Sequence, residues 1–346
     1  MRISLIVPVR NEADHIYRTL SGLAEQAFPT SDFEIIVVDG MSEDGTADIV
    51  RELQQTVPNL HLFENSKRLA SSARNVGVRN ASGEFLAIVD GHCQINDSRF
   101  LTKLVDAFES SGADTLGRPQ PLRSESPTAF QNAVSAARTS WLGHNPDSAI
   151  FSDVARFVPA DNVAVAYRRE VFDKIGLFDE SFDACEDVEF NTRVRLAGLT
   201  CYFTPTIAVD YQPRLTLKGL MQQMARYGRG RAKLTRKHLT TITLASLIPF
   251  LWFLWLVFAS IISVLWSPMI WALCGSATLY SLVILFESRR LWILDRALPY
   301  QRMPAIFAAI HAGFAWGYLW EMMRATPALP GLLGWIILRR LTGNKA

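Results

Sequence analysis

The segment Ile3-Ser-Leu-Ile-Val-Pro-Val-Arg-Asn-Glu12 decides the fold. Its first part is apolar, partly β-branched and of strand length, and it stops at a cluster of polar residues. That is the pattern of a strand buried on both faces that ends in a loop. The same syntax recurs downstream. Phe33–Val38 is apolar and stops at Asp39, Leu60–Phe63 is a shorter run, and Glu84–Val89 stops at Asp90. Between these runs the apolar residues take helical spacing: Ile16, Leu20 and Leu23, then Thr46–Leu53, Leu69–Asn80 and Phe100–Glu109. Strands alternating with helices predict an α/β domain with a mostly parallel sheet. In such sheets ligands bind beyond the carboxyl ends of the strands, so the residues just after each strand carry the information.

Further along, Pro119, Pro121, Pro127 and Pro146 interrupt the pattern, leaving loops and one helix near Thr128–Ser140. A strand over Phe157–Ala166 and helices over Arg169–Ile175, Val188–Ala197 and Leu217–His238 complete the expected soluble domain, residues 1–238. The net charge of +2, from 35 Lys+Arg against 33 Asp+Glu, gives no basis for nucleic-acid binding. The acidic residues are unevenly spread, because residues 241–346 hold only 3 of the 33. Residues 239–346 therefore read as a membrane domain. Uncharged runs suggest spans at about 241–266, 268–286 and 303–322, since a bilayer core needs roughly 20 apolar residues per helix.

Basic residues flank the spans. Arg226–Lys237 before the first and Arg289, Arg290, Arg296 and Arg302 after the second place both flanks in the cytoplasm, with the Ser267-Pro268 turn outside. A third span would put Arg339, Arg340 and Lys345 outside, against the same tendency, unless 329–341 returns as an interfacial helix. The four cysteines show no CxxC spacing, which argues against a zinc site or disulfide framework. Met1-Arg2 runs straight into the first strand without the layout of a secretory signal. The soluble part is expected in the cytoplasm.

Carboxylates stand where an α/β active site would place them: Glu12, Asp39 and Asp90 after strands, and Glu186-Asp187 opening a helix. This set suits a sugar nucleotide. Asp39 and Glu12 can accept hydrogen bonds from a base or ribose, and Arg74 can pair with phosphate or stack on the base. Asp90 and His92, two apart, can both reach one divalent cation, which neutralises a diphosphate. Glu186-Asp187 offers a general base for an acceptor hydroxyl.

Taken in order, these pieces resemble the family 2 glycosyltransferases. The matching segments are Ile6-Val-Pro-Val-Arg-Asn-Glu12, Val38-Asp-Gly-Met-Ser-Glu-Asp-Gly-Thr46, Ala73-Arg-Asn75, Val89-Asp-Gly-His92, Asn162–Phe172, Phe178-Asp-Glu180 and Glu186-Asp187. The resemblance implies the GT-A fold, a Rossmann-like nucleotide-diphospho-sugar transferase domain. It implies that Pro8, Arg10, Glu12, Asp39, Arg74, Asp90 and Gly91 surround the nucleotide sugar, that Asp90 belongs to the metal motif, and that Asp187, beside Glu186, is the base. The motif's second Asp is replaced by His92, and imidazole suits Mn²⁺ better than Mg²⁺.

Within the family the chain is similar to the bacterial exopolysaccharide enzymes of the ExoA type, which share its Tyr227-Gly-Arg-Gly-Arg231 segment and hydrophobic tail. Gln223, Arg226 and Tyr227 echo the Gln-x-x-Arg-Trp acceptor element of processive synthases, with Tyr in place of Trp. The implied activity is inverting, non-processive transfer of a hexose, glucose from UDP-glucose with a β-linkage, to a polyprenyl-diphosphate-linked oligosaccharide. The implied setting is the cytoplasmic face of the inner membrane, in contact with lipids and a polysaccharide assembly complex. The alternatives are a processive polysaccharide synthase and a non-catalytic sugar-nucleotide-binding scaffold.

Overall fold

The computed structural model describes residues 1–124, 126–144 and 149–325. They form two compact units, Met1–Arg214 and a second beginning at Leu215. In the first unit the order is β1 Ile3–Val9, α1 Ile16–Ala24, β2 Phe33–Asp39, α2 Thr46–Gln54, β3 Leu60–Glu64, α3 Ala70–Asn80, β4 Phe85–Ile88, β5 Cys93–Gln94 and α4 Phe100–Ser111. It continues with β6 Thr115–Gly117, α5 Ala129–Thr139, β7 Arg156–Phe157, β8 Ala164–Arg168, α6 Arg169–Ile175, α7 Glu186–Leu196, β9 Cys201–Phe203 and β10 Asp210–Tyr211.

The main sheet runs β3-β2-β1-β4-β8-β6-β9-β7. Its β3-β2-β1-β4 half is parallel, as the alternating pattern predicts. Beyond β4 the sheet is mixed: β8 is antiparallel to both β4 and β6, while β6 and β9 are parallel. The expected long strand over Phe157–Ala166 is not one strand. It divides into β7 and β8 around a 3₁₀ turn at Ala160–Asn162, entered from Pro159. Proline has no N–H to give a ladder. The short strands β5, β6, β9 and β10 carry too few residues to show a period.

Side-chain alternation explains why the central runs are continuously apolar. Leu5, Val7, Ile35 and Val37 face one core with Leu20, Leu23 and Leu104. Ile6, Ile36 and Val38 face the other with Ala73, Tyr167 and Phe190. Both faces of the sheet are thus covered by helices. The polar residue that interrupts β2, Glu34, is buried, and its Oε1 takes three hydrogen bonds. It accepts from Ser4 Oγ at 2.6 Å, Ser82 N at 2.7 Å and Ser82 Oγ at 2.8 Å.

The second unit holds α8 Leu217–Lys237, α9 Leu244–Leu265, α10 Met269–Leu294 and α11 Met303–Ala325. Among the described residues two helices are long and apolar enough to cross a membrane, Leu247–Leu265 and Met269–Leu294, and only 6% of the most apolar stretch of each is buried. They are joined through the Trp255 indole, which donates to Ser276 Oγ at 3.1 Å, and by Trp252 stacked on Tyr280. The expected third span does not qualify. Met303–Ala325 instead buries Ile306, Phe307, Ile310 and Tyr318 and packs along α8. A methyl on Gly317 would lie 1.9 Å from the Ala225 carbonyl oxygen, and one on Gly228 would lie 2.1 Å from that of Phe314. The backbones of α8 and α11 therefore touch, and Arg236 pairs with Glu321 at 2.6 Å.

This packing moves the boundary between the units from residue 238 to Arg214, because α8 belongs with α11. The expected interfacial helix at 329–341 and the tail residues Arg339, Arg340 and Lys345 lie outside the described residues.

Glu34 provides a stability test. Burial opposes its charge, but the Ser4 and Ser82 bonds hold its carboxyl below the ordinary glutamate value. A depressed folded pKa contributes stability that is present above the unfolded value and lost as pH falls through the folded one. Glu34→Ala is expected to cost about 2 kcal/mol at neutral pH, through three stranded donors. In urea unfolding of the detergent-solubilised protein, the gap to wild type should narrow on acidification below about pH 4.

Candidate active site

The parallel half of the sheet brings its strand ends to one edge. Val9 pairs with Asp39, and Ile6 with Ile88, so Asp39 and the Asp90 segment flank the end of β1. All four non-glycine residues with positive φ among the described residues lie in loops at this edge: Asn11 after β1, Met41 after β2, Arg68 before α3 and Cys185 before α7. Strained backbone of this kind costs roughly 1–3 kcal/mol per residue and persists where the surroundings dictate it.

The β1 and β2 loops are sewn together. Asp39, 5% exposed, accepts from the Ser42 backbone N–H at 3.0 Å and from the Ser42 hydroxyl. The Asn11 N–H donates to Ser42 Oγ at 2.8 Å, and the Glu12 N–H donates to Thr46 Oγ1 at 2.8 Å. Asp44 accepts from the Ala13 and Thr46 N–H groups, each at 3.0 Å, and from the Thr46 hydroxyl. Although burial opposes it, these bonds hold the Asp44 carboxyl below the usual aspartate value. Arg10 is exposed and donates to the Arg68 carbonyl at 3.3 Å, while Pro8 is half-buried within β1.

Behind Asp90 the chain needs a glycine. A Cβ on Gly91 would sit 2.7 Å from Val9 Cγ1, and the Gly91 carbonyl accepts from Thr19 Oγ1 at 2.9 Å. His92 then turns its Nδ1 to Glu12 Oε1, 2.9 Å away, with its ring edge-on to Tyr211. Burial opposes the imidazolium, but the Glu12 hydrogen bond, with the Asp90 and Glu12 charges, raises His92 above the ordinary histidine value.

The other wall is α7, held by a network the sequence did not announce. The Tyr167 hydroxyl donates to the Ala164 carbonyl at 2.9 Å and lies 2.9 Å from Asn191 Oδ1. Asp161 binds Arg195 at 2.7 Å and Thr192 at 3.1 Å. Asn75 fastens α3 to the 178–180 turn, donating to the Phe178 carbonyl at 3.0 Å and Glu180 at 2.9 Å, and accepting the Phe178 N–H at 2.9 Å. At the first turn of α7, Glu186 is 5% exposed and Asp187 is half-buried. Arg74, on α3, lies 3.0 Å from Glu186 and 3.6 Å from Asp90. Arg118, buried at the end of β6 and donating to the Ile88 carbonyl at 3.2 Å, was also missed, since one arginine after a three-residue strand carries no pattern.

Glu12, Asp39, Arg74, Asp90, His92 and Glu186 are therefore linked by contacts around a single sheet edge. Gln223, Arg226 and Tyr227 lie on α8, in the second unit, where Arg231 Nη2 donates to the Tyr227 hydroxyl at 2.6 Å.

Comparison with known proteins gives this edge its context. The description Glycosyl transferase family 2 matches residues 4–176, and Glycosyl transferase family group 2 matches residues 97–319. The chain belongs to the family 2 glycosyltransferases. Succinoglycan biosynthesis protein ExoA of Rhizobium meliloti (strain 1021) is 31% identical over 71% of this chain and 73% of its own. A Methanococcus voltae enzyme, dolichyl N-acetyl-alpha-D-glucosaminyl phosphate 3-beta-D-2,3-diacetamido-2,3-dideoxy-beta-D-glucuronosyltransferase, is 26% identical over 91% of this chain and 95% of its own. Among solved structures, the mannosyltransferase PcManGT from Pyrobaculum calidifontis, in complex with GDP-Man and Mn²⁺, superposes with a TM-score of 0.57. It is 21% identical and covers 91% of this chain and 87% of its own. The fold is GT-A.

Among the described residues no group of three or more His, Cys, Asp or Glu side chains could hold a metal by itself. One carboxylate and one imidazole are present instead. The His92 Nε2 is buried without a hydrogen-bond partner among the described residues, while its Nδ1 is occupied by Glu12. A histidine whose second nitrogen is fixed by a carboxylate is set up for metal ligation, and Mg²⁺-type sites commonly use one or two protein ligands plus phosphate. The residues fit a divalent cation whose other positions belong to the substrate.

Removing Glu12 should reveal what holds His92. In Glu12→Ala only the Asp90 charge is left to oppose burial, and the imidazole is expected to titrate lower than in the wild type. NMR titration of the metal-free protein reads this directly, and an unchanged value would deny the Glu12 contact.

Proposed function

We propose that this chain transfers one hexose, with inversion, from a UDP-sugar to a polyprenyl-diphosphate-linked glycan at the cytoplasmic face of the membrane, with UDP-glucose as donor and a β-linkage. The observation that carries the reading is the Asp90–Arg74–Glu186 chain of contacts. It sets a donor-side carboxylate and the two carboxylates that begin α7 against one another. In this reading Asp39 and Glu12 bind the uridine, with Pro8, Arg10 and Gly91 lining its site. Asp187 takes the proton of the acceptor hydroxyl as that oxygen attacks the anomeric carbon from the face opposite the leaving UDP. Asp90 and His92 would hold a divalent cation, Mn²⁺ more readily than Mg²⁺. When bound, it neutralises the departing diphosphate.

The acceptor is inferred from two directions. The R. meliloti relative is named for succinoglycan biosynthesis, and the M. voltae relative for a dolichyl phosphate-linked substrate. A polyprenyl tail stays in the bilayer, so the enzyme must work at headgroup level. Gln223, Arg226 and Tyr227 on α8 are the acceptor-sugar candidates, and α8 is followed directly by the first apolar helix. Two spans with basic flanks at both outer ends form a hairpin whose ends are cytoplasmic. With α11 packed along α8, no third crossing is required.

Two measurements test the proposal. Asp187→Asn is expected to lower turnover by about 10²–10⁴-fold while leaving UDP affinity, read by calorimetry, nearly unchanged. Retention of full turnover would remove Asp187 as the base, and complementation in cells left intact by Asp187→Asn, with no turnover by the wild type, would favour the scaffold alternative. For the topology, Ser267→Cys in a Cys274→Ser background should react with an impermeant thiol reagent on intact cells, whereas Asp295→Cys should react only after lysis. The reverse pattern would invert the hairpin.

A further inference from the structure

Arg74 is 7% exposed, with its guanidinium 5.6 Å from the centre of the Phe178 ring. One arm, Nη1, lies 3.0 Å from Glu186, and the other, Nη2, lies 3.6 Å from Asp90. A side chain so enclosed has little surface left to offer a nucleotide, and its contact with Glu186 is an ion pair rather than a hydrogen bond, since Nε and Nη1 have no hydrogen-bond partner among the described residues. Its own helix is rigidly mounted on the loop that leads into α7: Asn75 fastens the Phe178 turn, and Ser71 Oγ donates to the Phe182 carbonyl at 3.0 Å.

We propose that Arg74 is a positioning residue for the base-bearing helix rather than a contact to the nucleotide, one buried cation shared between Glu186 at the start of α7 and Asp90 beyond β4. The inference rests on the glycosyltransferase reading above. Glu186 is 5% exposed, and a buried carboxylate that loses its cation is strongly destabilised or takes up a proton. Protonating Glu186 would withdraw the charge that orients the first turn of α7, and with it Asp187, the next residue. Arg74 thereby keeps the first turn of α7, and the base it carries, aimed. The unequal arms have a consequence: an anionic diphosphate arriving beside Asp90 acts on the longer contact and leaves the Glu186 contact in place. Burial alone would weaken the basicity of Arg74, but Glu186, Asp187 and Asp90, in that order, raise it, so the cation persists at every pH at which the enzyme works.

The test compares the full-length wild type with Arg74→Gln, Arg74→Lys, Glu186→Gln and the Arg74→Gln/Glu186→Gln double variant. UDP affinity is read by calorimetry, and the pH profile by turnover of UDP-glucose with native lipid extract. For Arg74→Gln the expectation is UDP affinity within about threefold of wild type and turnover lower by about 100-fold. The acidic limb of the profile should move to higher pH, because removing a cation makes neighbouring carboxylates harder to ionise. Arg74→Lys should recover about tenfold of the loss and bring the limb back. The double variant should be no worse than Glu186→Gln alone, since residues acting through one another are not additive.

A tenfold or greater loss of UDP affinity in Arg74→Gln with an unmoved acidic limb would make Arg74 a nucleotide contact and overturn the proposal. Fully additive losses would overturn it as well. If Arg74→Gln does not fold, Arg74→Lys carries the same comparison, since it replaces a two-pronged cation with a point charge. A wild type that binds UDP but turns over no UDP-sugar counts against the transfer reading alone. The UDP affinities, which need no turnover, still decide the role of Arg74.

Discussion

Several carboxylates gather at one edge of one sheet, and the structure must hold them close without letting them repel each other apart. That constraint organises the molecule. Each acid meets its own partner: Asp39 meets Ser42, Glu12 meets His92, and Asp90 and Glu186 share Arg74. The loops that carry them are tied to one another through side chains, and their strain is confined to Asn11, Met41, Arg68 and Cys185. A site assembled from separate strand ends in this way has its geometry supplied by the sheet and its charge balance by a few buried cations.

The parallel half of the sheet was legible because its strands are buried on both faces. Continuous apolar runs such as Ile35–Val38 have no other explanation once helical periods separate them. The acids at their ends were legible for the same reason, since topology dictates where strand ends meet. The antiparallel half was not, because β6, β7 and β9 hold two or three residues each, below the length at which any period appears. Pro159 could have warned that Phe157–Ala166 is broken. The supporting residues stayed hidden for a different reason. Asn75, Tyr167, Asp161 and Arg118 act across long sequence separations, and nothing local to them reports their partners. Arg74 was visible as a functional arginine, but its burial between two carboxylates was not.

The membrane region shows where composition misleads. An uncharged run in α11 resembles a span, but its glycines allow the backbone to meet that of α8, and Ile306, Phe307, Ile310 and Tyr318 are covered by protein. Counting charges identifies segments that could enter a bilayer. Whether they do depends on what covers them. Among the described residues two helices rather than three are long and apolar enough to cross a bilayer.

The central claim is that these acids surround one bound nucleotide, and a structure of the full-length protein with UDP tests it most directly. The account predicts uridine against Asp39, the diphosphate beside Asp90, and Asp187 facing the open side of the sugar position. UDP bound away from the carboxyl ends of β2 and β4, with Asp39 and Asp90 both turned from it, would contradict the account.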